Sequence, residues 1–278
     1  MTESQLALLR RHGIRPVKRR GQNFLVDGNL ARAIAADVVA LGDRVLELGA
    51  GGGALTAHLL GLGARVLCVE VDRRLCAVLA EEFGAQARFS LREDDLVRLD
   101  WPQVIADAGP RPVVAGNLPY VLTSKVLFAV ADQREQVAGA VFMVQKEVAE
   151  RLAAAAGGRD YGVLAVVMGS LFEVEMLRTV PRSVFWPRPE VASAVVRLSP
   201  RGGWTDAEYR PFLATVKTLF QQRRKQLGAG LRNLMGLDDA EVATLAAAAG
   251  FDPTARPEQL DPDGWRRLAA ALSAGGRP

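Results

Sequence analysis

Hydrophobic and polar positions along this chain fall into three regimes. Residues 1–25 begin with a short amphipathic pattern at Leu6, Leu8 and Leu9, then turn basic and close in Gly21-Gln22-Asn23-Phe24-Leu25. Asp27 stands where an N-cap belongs, ahead of a helix over about 29–41 that Gly42 ends. From Arg44 short apolar runs alternate with stretches of helical spacing, the pattern of a parallel sheet covered on both faces. The runs predict strands over 44–48, 65–71, 87–91, 112–115, 138–144, 173–180 and 194–198. Helices are predicted between and after them, over about 54–62, 74–83, 124–131, 145–152 and 163–171. Pro200-Arg201-Gly202-Gly203 marks a linker, and past it every predicted element is helical: about 209–220, 224–235, 240–249 and 262–274. The expected architecture is α/β, with a mainly parallel seven-stranded sheet over 1–200, in which 1–28 form a basic lid segment, followed by a small all-helical domain over 201–278.

Candidate chemistry gathers where predicted strands end. Val45-Leu46-Glu47-Leu48 breaks into Gly49-Ala50-Gly51-Gly52-Gly53 and then into a helix, so a buried strand, a tight turn and a helix start follow one another. Glycines let the main chain approach a ligand without a Cβ in the way, and a helix start offers unpaired N–H groups. The spacing is GxGGG, not the dinucleotide GxGxxG, and with the acidic residue before it this points first to S-adenosylmethionine. Glu70, about 20 residues on at the end of the second strand, is placed to accept hydrogen bonds from a ribose diol. Asp72 is read as the start of the next helix. Asp94, beyond the third strand, is placed to meet an adenine amino group or to cap the next turn. After the fourth strand comes Gly116-Asn117-Leu118-Pro119-Tyr120. An amide, a carbonyl fixed by the following proline and an aromatic ring make a clamp for a flat base with an exocyclic amine. Val184-Phe185-Trp186-Pro187 reads as a proline-stiffened loop exposing Phe185 and Trp186.

Composition narrows the class. Hydrophobic residues make up 49% of the chain, enough for a substantial core, yet no apolar run reaches membrane-spanning length and no basic-then-apolar leader begins it. A soluble cytoplasmic protein without a membrane partner is expected. The two cysteines, Cys68 and Cys76, exclude a disulfide framework and a four-cysteine metal site, and His12 and His58 stand alone, so no metal is expected. The net charge of +4 is unevenly placed. Arg10, Arg11, Arg15, Lys18, Arg19 and Arg20 crowd one end, and Arg223, Arg224, Lys225 and Arg232 crowd a predicted helix start; such clusters suit phosphate contact as well as plain solvation.

Taken together, GQNFL at 21–25, VLELGAGGGALT at 45–56, Glu70, the Asp94 segment, NLPY at 117–120, QKEVAERL at 145–152, FWPRPEVASAV at 185–195 and FQQRRKQL at 220–227 resemble the ribosomal RNA adenine dimethyltransferases of the KsgA type. The resemblance covers nearly the whole chain. It implies a Rossmann-like class I methyltransferase that uses S-adenosylmethionine, releases S-adenosylhomocysteine, and dimethylates N6 of two adjacent adenosines. The target is the hairpin near the 3′ end of 16S ribosomal RNA, within the small (30S) subunit or its precursor. A monomer is expected. Carried onto this sequence, Asn23, Leu25, Gly49, Glu70, Asp94 and Asn117 are implied as cofactor contacts, joined by Gly51 of the glycine loop. Asn117, Leu118, Pro119 and Tyr120 form the base clamp, with Phe185 as a second stacking face. Lys18, Arg19, Arg20, Arg223, Arg224 and Lys225 are expected to grip RNA. Departures are Ala50 and Gly52 where many relatives have proline and leucine, Val121-Leu122-Thr123-Ser124 after the clamp, and a longer turn after Asp94 that leaves Asp95 as an alternative adenine contact. The rival readings are an Erm-type enzyme acting on the large-subunit RNA and a non-catalytic assembly or transcription factor on the same scaffold.

Overall fold

The computed structural model describes residues 4–17 and 21–275. In chain order its first elements are α1 (Gln5–Arg11), β1 (Phe24–Leu25), α2 (Gly28–Val39), β2 (Arg44–Leu48), α3 (Ala54–Gly61), β3 (Arg65–Glu70), α4 (Arg73–Phe83), β4 (Phe89–Glu93), α5 (Trp101–Ala108) and β5 (Val113–Asn117). Then come α6 (Thr123–Asp132), β6 (Gly139–Gln145), α7 (Lys146–Leu152), α8 (Val163–Leu171), β7 (Phe172–Val180), β8 (Phe185–Trp186) and β9 (Ser193–Pro200). The expected seven-stranded sheet is present among the described residues, in the order β4-β3-β2-β5-β6-β9-β7. Its β4, β3, β2, β5 and β6 run parallel, and β9 pairs antiparallel with β6.

Burial on both faces explains why these strands read as unbroken apolar runs rather than alternating ones. Val45, Leu46, Leu48, Val113, Val114 and Ala115 are fully buried. On one face α2 presents Ala31, Ile34, Ala35 and Val38, and α3 presents Leu59 and Leu60, to a core shared with Val45, Val66, Val113 and Val141. Each fully buried leucine or valine of this kind contributes about 1.5–3 kcal/mol. Asp27 caps α2 by accepting from the Leu30 N–H at 2.9 Å, as its position predicts. The strand order reverses at β2, with β3 on one side and β5 on the other, which opens a crevice at the carboxyl ends of these strands.

Several elements depart from the sequence expectation. The third expected strand, over 87–91, lies two residues further on as β4, because its register against β3 pairs Val66 with Phe89 and Glu70 with Glu93. The helix α5 was not foreseen, although Asp100 caps it by accepting from Gln103 at 3.1 Å. The two-residue strands β1 and β8 pair antiparallel, Phe24 with Trp186 and Leu25 with Phe185, a pairing too short to leave any periodicity. The 6, 8, 9 pattern does become a helix: Leu8 and Leu9 of α1 pack with Ile14, Phe24, Leu75 and Val78.

The chain divides into two compact units, one of residues up to Ala149 with Glu175–Pro200, the other of Glu150–Val174 with the chain from Arg201 onward. The expected boundary at 200 is where the chain enters the helical unit for the second time. The helical unit takes in α8 because that helix is almost wholly apolar and packs on α9 (Asp206–Leu219) and α12 (Pro262–Ala274). Its remaining helices are α10 (Leu227–Met235) and α11 (Asp239–Ala249). Capping boxes at Thr205/Glu208 and Asp238/Glu241 start α9 and α11, and Trp265 is fully buried. The basic stretch around 221–226 does not open a helix as expected. The helix α10 begins only at Leu227, where the Leu227 and Gly228 N–H groups donate to the carbonyls of Ala255 and Pro253 at 2.7 and 2.8 Å. Among the described residues no helix is long and apolar enough to cross a membrane.

One glycine is fixed by close approach. A Cβ at Gly116 would lie 2.4 Å from the Leu48 carbonyl oxygen in the neighbouring strand, an atom that cannot move without breaking the ladder. Gly116→Ala is expected to cost about 3 kcal/mol or more in urea unfolding. Gly61→Ala, where a Cβ meets nothing within 4 Å, is expected to be neutral or stabilising by up to about 1 kcal/mol.

Candidate active site

The crevice at the β2 switch point holds a cavity of about 470 Å³, lined by the glycine loop, the ends of β3 and β5, and the N-terminal segment. The loop folds sharply because Gly49, Gly51 and Gly53 take φ of +68°, +58° and +83°, a region that costs other residues dearly. Gly49 N–H extends the ladder by donating to the Val69 carbonyl at 2.8 Å. Gly51 N–H donates to Glu70 Oε2 at 2.9 Å, while Glu70 Oε1 accepts from Val71 and Asp72 at 2.9 and 3.0 Å. Glu70 is almost fully buried, and that desolvation raises its pKa against the lowering pull of the three N–H bonds. Asp72 caps α4 through Arg74 N–H and also accepts from Gln22 Nε2 at 3.1 Å, so the GQNFL segment is tied to the same turn.

Across the cavity, Asn117 and Asn23 come together: Asn117 Nδ2 donates to the Asn23 carbonyl at 2.8 Å. Asn117 Oδ1 is thereby the end of the amide left to accept. Leu118 N–H donates to the Met143 carbonyl at 3.1 Å, which holds the peptide after Asn117 on the sheet edge. The Tyr120 hydroxyl meets Ser193 Oγ at 3.0 Å, an anchor that fixes the half-buried ring; burial raises its pKa and the serine contact opposes this. Leu25, Gly49, Gly51, Pro119 and Tyr120 all line the cavity with these residues.

Other expected site residues lie elsewhere. Asp94 accepts from Arg92 Nε at 2.9 Å and from Asp95 N–H at 2.8 Å, and it is Asp95 that lines the cavity. Phe185 is not the exposed face that the sequence predicts: it is 3% exposed, packed in the core that holds Leu25 and Ile34, and absent from the cavity wall. Its pairing with Leu25 in the short β1–β8 ribbon draws it inward, while Trp186 stacks on Phe24 with centroids 6.2 Å apart. Arg223 is held by Glu258 at 2.6 Å and by the Arg159 carbonyl, whereas Arg224 and Lys225 are exposed in the turn before α10. Lys18, Arg19 and Arg20 lie outside the described residues.

Glu47 is a residue that sequence reasoning passed over except as an acid before the glycines. It is 2% exposed and lies in the cavity wall, where its Oε2 accepts from the Thr56 hydroxyl at 2.7 Å and lies 3.5 Å from Cys68 Sγ. Burial pushes its pKa up to about 7, against those two bonds. An acidic residue inside an otherwise apolar strand was the signal that could have marked it.

The family described as ribosomal RNA adenine dimethylase matches residues 15–258. The chain belongs to the ribosomal RNA adenine dimethylase family. Similar relatives include a protein named "Ribosomal RNA small subunit methyltransferase A" from Anaeromyxobacter sp. (strain K), 45% identical with 97% of this chain and 98% of the relative covered. One of the same name from Pseudomonas aeruginosa is 40% identical, with 92% and 94% covered. Among solved structures, the 23S rRNA methyltransferase ErmE matches with a TM-score of 0.68 at 27% identity, covering 90% of this chain and all of that one. A dimethyladenosine transferase from Plasmodium falciparum shares the fold with a TM-score of 0.72 at 23% identity, covering 88% and 97%.

The buried Glu47 gives a stability prediction. In the unfolded chain its carboxyl titrates near the ordinary 4.5 and in the folded one near 7, so between those values the folded state keeps a proton the unfolded state has released. Stability conferred by this group therefore falls as pH rises through that window, by on the order of 3 kcal/mol at most, and is flat above it. Glu47→Gln should match the parent in urea unfolding near pH 4.5 and exceed it at pH 8. A stability difference that does not change with pH would show that Glu47 titrates normally.

Proposed function

We propose that this chain transfers methyl groups from S-adenosylmethionine to N6 of two adjacent adenosines in the 3′-terminal hairpin of 16S ribosomal RNA, dimethylating each during small-subunit assembly. The observation that carries this reading is the meeting, around one cavity, of the glycine loop held to Glu70 and the Asn117-Leu118-Pro119-Tyr120 clamp held to Asn23 and Ser193. The full-length relatives named for the small subunit support 16S RNA over the large-subunit target of the more distant ErmE.

The donor set fits the cofactor. A buried carboxylate at the end of β3 suits ribose hydroxyls, and a cavity wall without side chains at Gly49 and Gly51 leaves room for the amino-acid end. Asp95, at the cavity wall, suits an adenine amine in place of Asp94. When bound, S-adenosylmethionine supplies an electrophilic methyl group on a sulfonium.

The remaining chemistry belongs to the chain. The adenine N6 lone pair is delocalised into the ring, so the nitrogen attacks well only when its N–H groups are drawn into hydrogen bonds that favour a pyramidal geometry. Asn117 Oδ1, oriented because Nδ2 is engaged by Asn23, accepts one such bond, and the Leu118 carbonyl accepts another. Tyr120, anchored through its hydroxyl, stacks on the base. Positioning and electrostatics carry most of the rate, and no dedicated base is needed because the methylated ammonium loses its proton to water. The adenosine must be flipped out of its stack to reach this depth, and the room left by a monomethylated amine allows the second transfer. Arg224, Lys225 and the basic cluster at Lys18, Arg19 and Arg20 grip RNA phosphates, while Arg223 supports the turn that carries its neighbours. The protein works as a cytoplasmic monomer on the small subunit or its precursor, without a metal.

The test is transfer of labelled methyl groups to small subunits that lack the modification. The parent protein should label them, and Asn117→Ala should be slower by about 100-fold or more while still binding S-adenosylhomocysteine. Near-normal turnover in Asn117→Ala would refute the clamp. A parent protein that binds small subunits without labelling them would support the non-catalytic reading instead.

A further inference from the structure

The sequence marks the turn at 220–227 as basic, but in the fold that turn does not stand by itself. Arg223 sits where three stretches distant in the chain meet. Its Nε pairs with Glu258 Oε2 at 2.6 Å, and its Nη2 donates to the Arg159 carbonyl. The Gly157 N–H donates to the Glu258 carbonyl at 2.6 Å, which ties the loop before α8 directly to the stretch after α11. Leu227 and Gly228, through the Ala255 and Pro253 carbonyls, fasten the basic turn to that same stretch. All of these residues belong to one compact unit.

What the three stretches carry to the surface is positive charge. Arg159, Arg224, Lys225 and Arg256 are exposed, and among the described residues none of the four is paired with a carboxylate. Arg159 is held through its main-chain carbonyl, which leaves its guanidinium to solvent. Arg256 is kept extended, at φ −89° and ψ 158°, ahead of the buried Pro257. The acidic residues of these stretches are Asp160 and Glu258, and Arg223 already neutralises Glu258. Folding therefore gathers cations from three parts of the chain around one neutral pair. Unpaired like charges brought together repel, so the partner that suits them is a polyanion. Guanidinium groups in particular match the forked geometry of phosphate oxygens.

We propose that Arg159 and Arg256 complete, with Arg224 and Lys225, one phosphate-binding surface for the ribosomal RNA substrate, assembled by the Arg223–Glu258 pair. The inference rests on the reading of this chain as an enzyme of ribosomal RNA. It extends the RNA contact to two arginines outside the basic stretch, neither of which stands out in the sequence.

The test is binding of the full chain to small ribosomal subunits that lack the modification, with S-adenosylhomocysteine present, over a series of salt concentrations. Arg159→Ala and Arg256→Ala should each weaken binding about fivefold and reduce the slope of log affinity against log salt by about 0.7–1. Arg159→Lys and Arg256→Lys keep the charge and should keep the parent's slope. Melting temperature and affinity for S-adenosylhomocysteine should match the parent in all four variants. Arg65→Ala removes an exposed arginine at the start of β3, the end of the strand away from the cavity, and should leave the slope unchanged. An unchanged affinity and slope in either alanine variant overturns the proposal. So does a loss shared by the lysine variants, which would mean a structural role, or an equal change in Arg65→Ala, which would mean that only overall charge counts. A parent protein that binds through this surface but transfers no methyl group would contradict the proposed activity and leave the surface standing, whereas one that does not bind small subunits would overturn both.

Discussion

The hydrogen bond from Gly51 N–H to the buried carboxylate of Glu70 is the contact on which the site depends. It ties the glycine loop, which runs from β2 into α3, to the end of the neighbouring strand β3. Because Glu70 also accepts from Val71 and Asp72, one carboxylate sets the loop after β2 and the turn after β3 together. Asp72 then reaches Gln22, and Asn117 reaches the Asn23 carbonyl, so the N-terminal segment is fastened to two strand ends at once. What encloses the cavity is therefore a chain of polar contacts laid over an apolar sheet, and the apolar sheet alone would leave it open.

This division of labour explains which features could be read from the sequence. The strands β2, β3, β5 and β6 were legible because burial on both faces makes them unbroken apolar runs. The glycine loop and NLPY were legible because their residue types are unusual together. Asp27 and Asp72 were legible as caps, and both cap. Elements fixed by partners distant in sequence were not. Phe185 reads as an exposed aromatic beside prolines until its pairing with Leu25 shows it drawn into the core. The helix α10 starts at Leu227, not at the arginines, because the carbonyls that receive its first N–H groups come from Pro253 and Ala255. Which of Asp94 and Asp95 faces the cavity turns on the Arg92 contact, which composition does not reveal.

Ala50 and Gly52 stand where many relatives have proline and leucine, and a softer loop would follow from the sequence alone. In the fold, Gly52 instead marks the place where α1 presses on the loop, so the loop is braced from outside by Leu9 and Gln5. The clamp is braced similarly, since Tyr120 leans on Ser193 at the start of β9 and Leu118 on β6.

The central claim is that this cavity holds an adenine amine against a methyl donor. The most direct measurement is nucleoside mass spectrometry, with site mapping, of ribosomal RNA from both subunits after reaction with the purified protein and S-adenosylmethionine. The account predicts N6,N6-dimethyladenosine at two adjacent positions near the 3′ end of the small-subunit RNA. Methyl groups confined to the large-subunit RNA, or placed on any atom other than adenine N6, would contradict it.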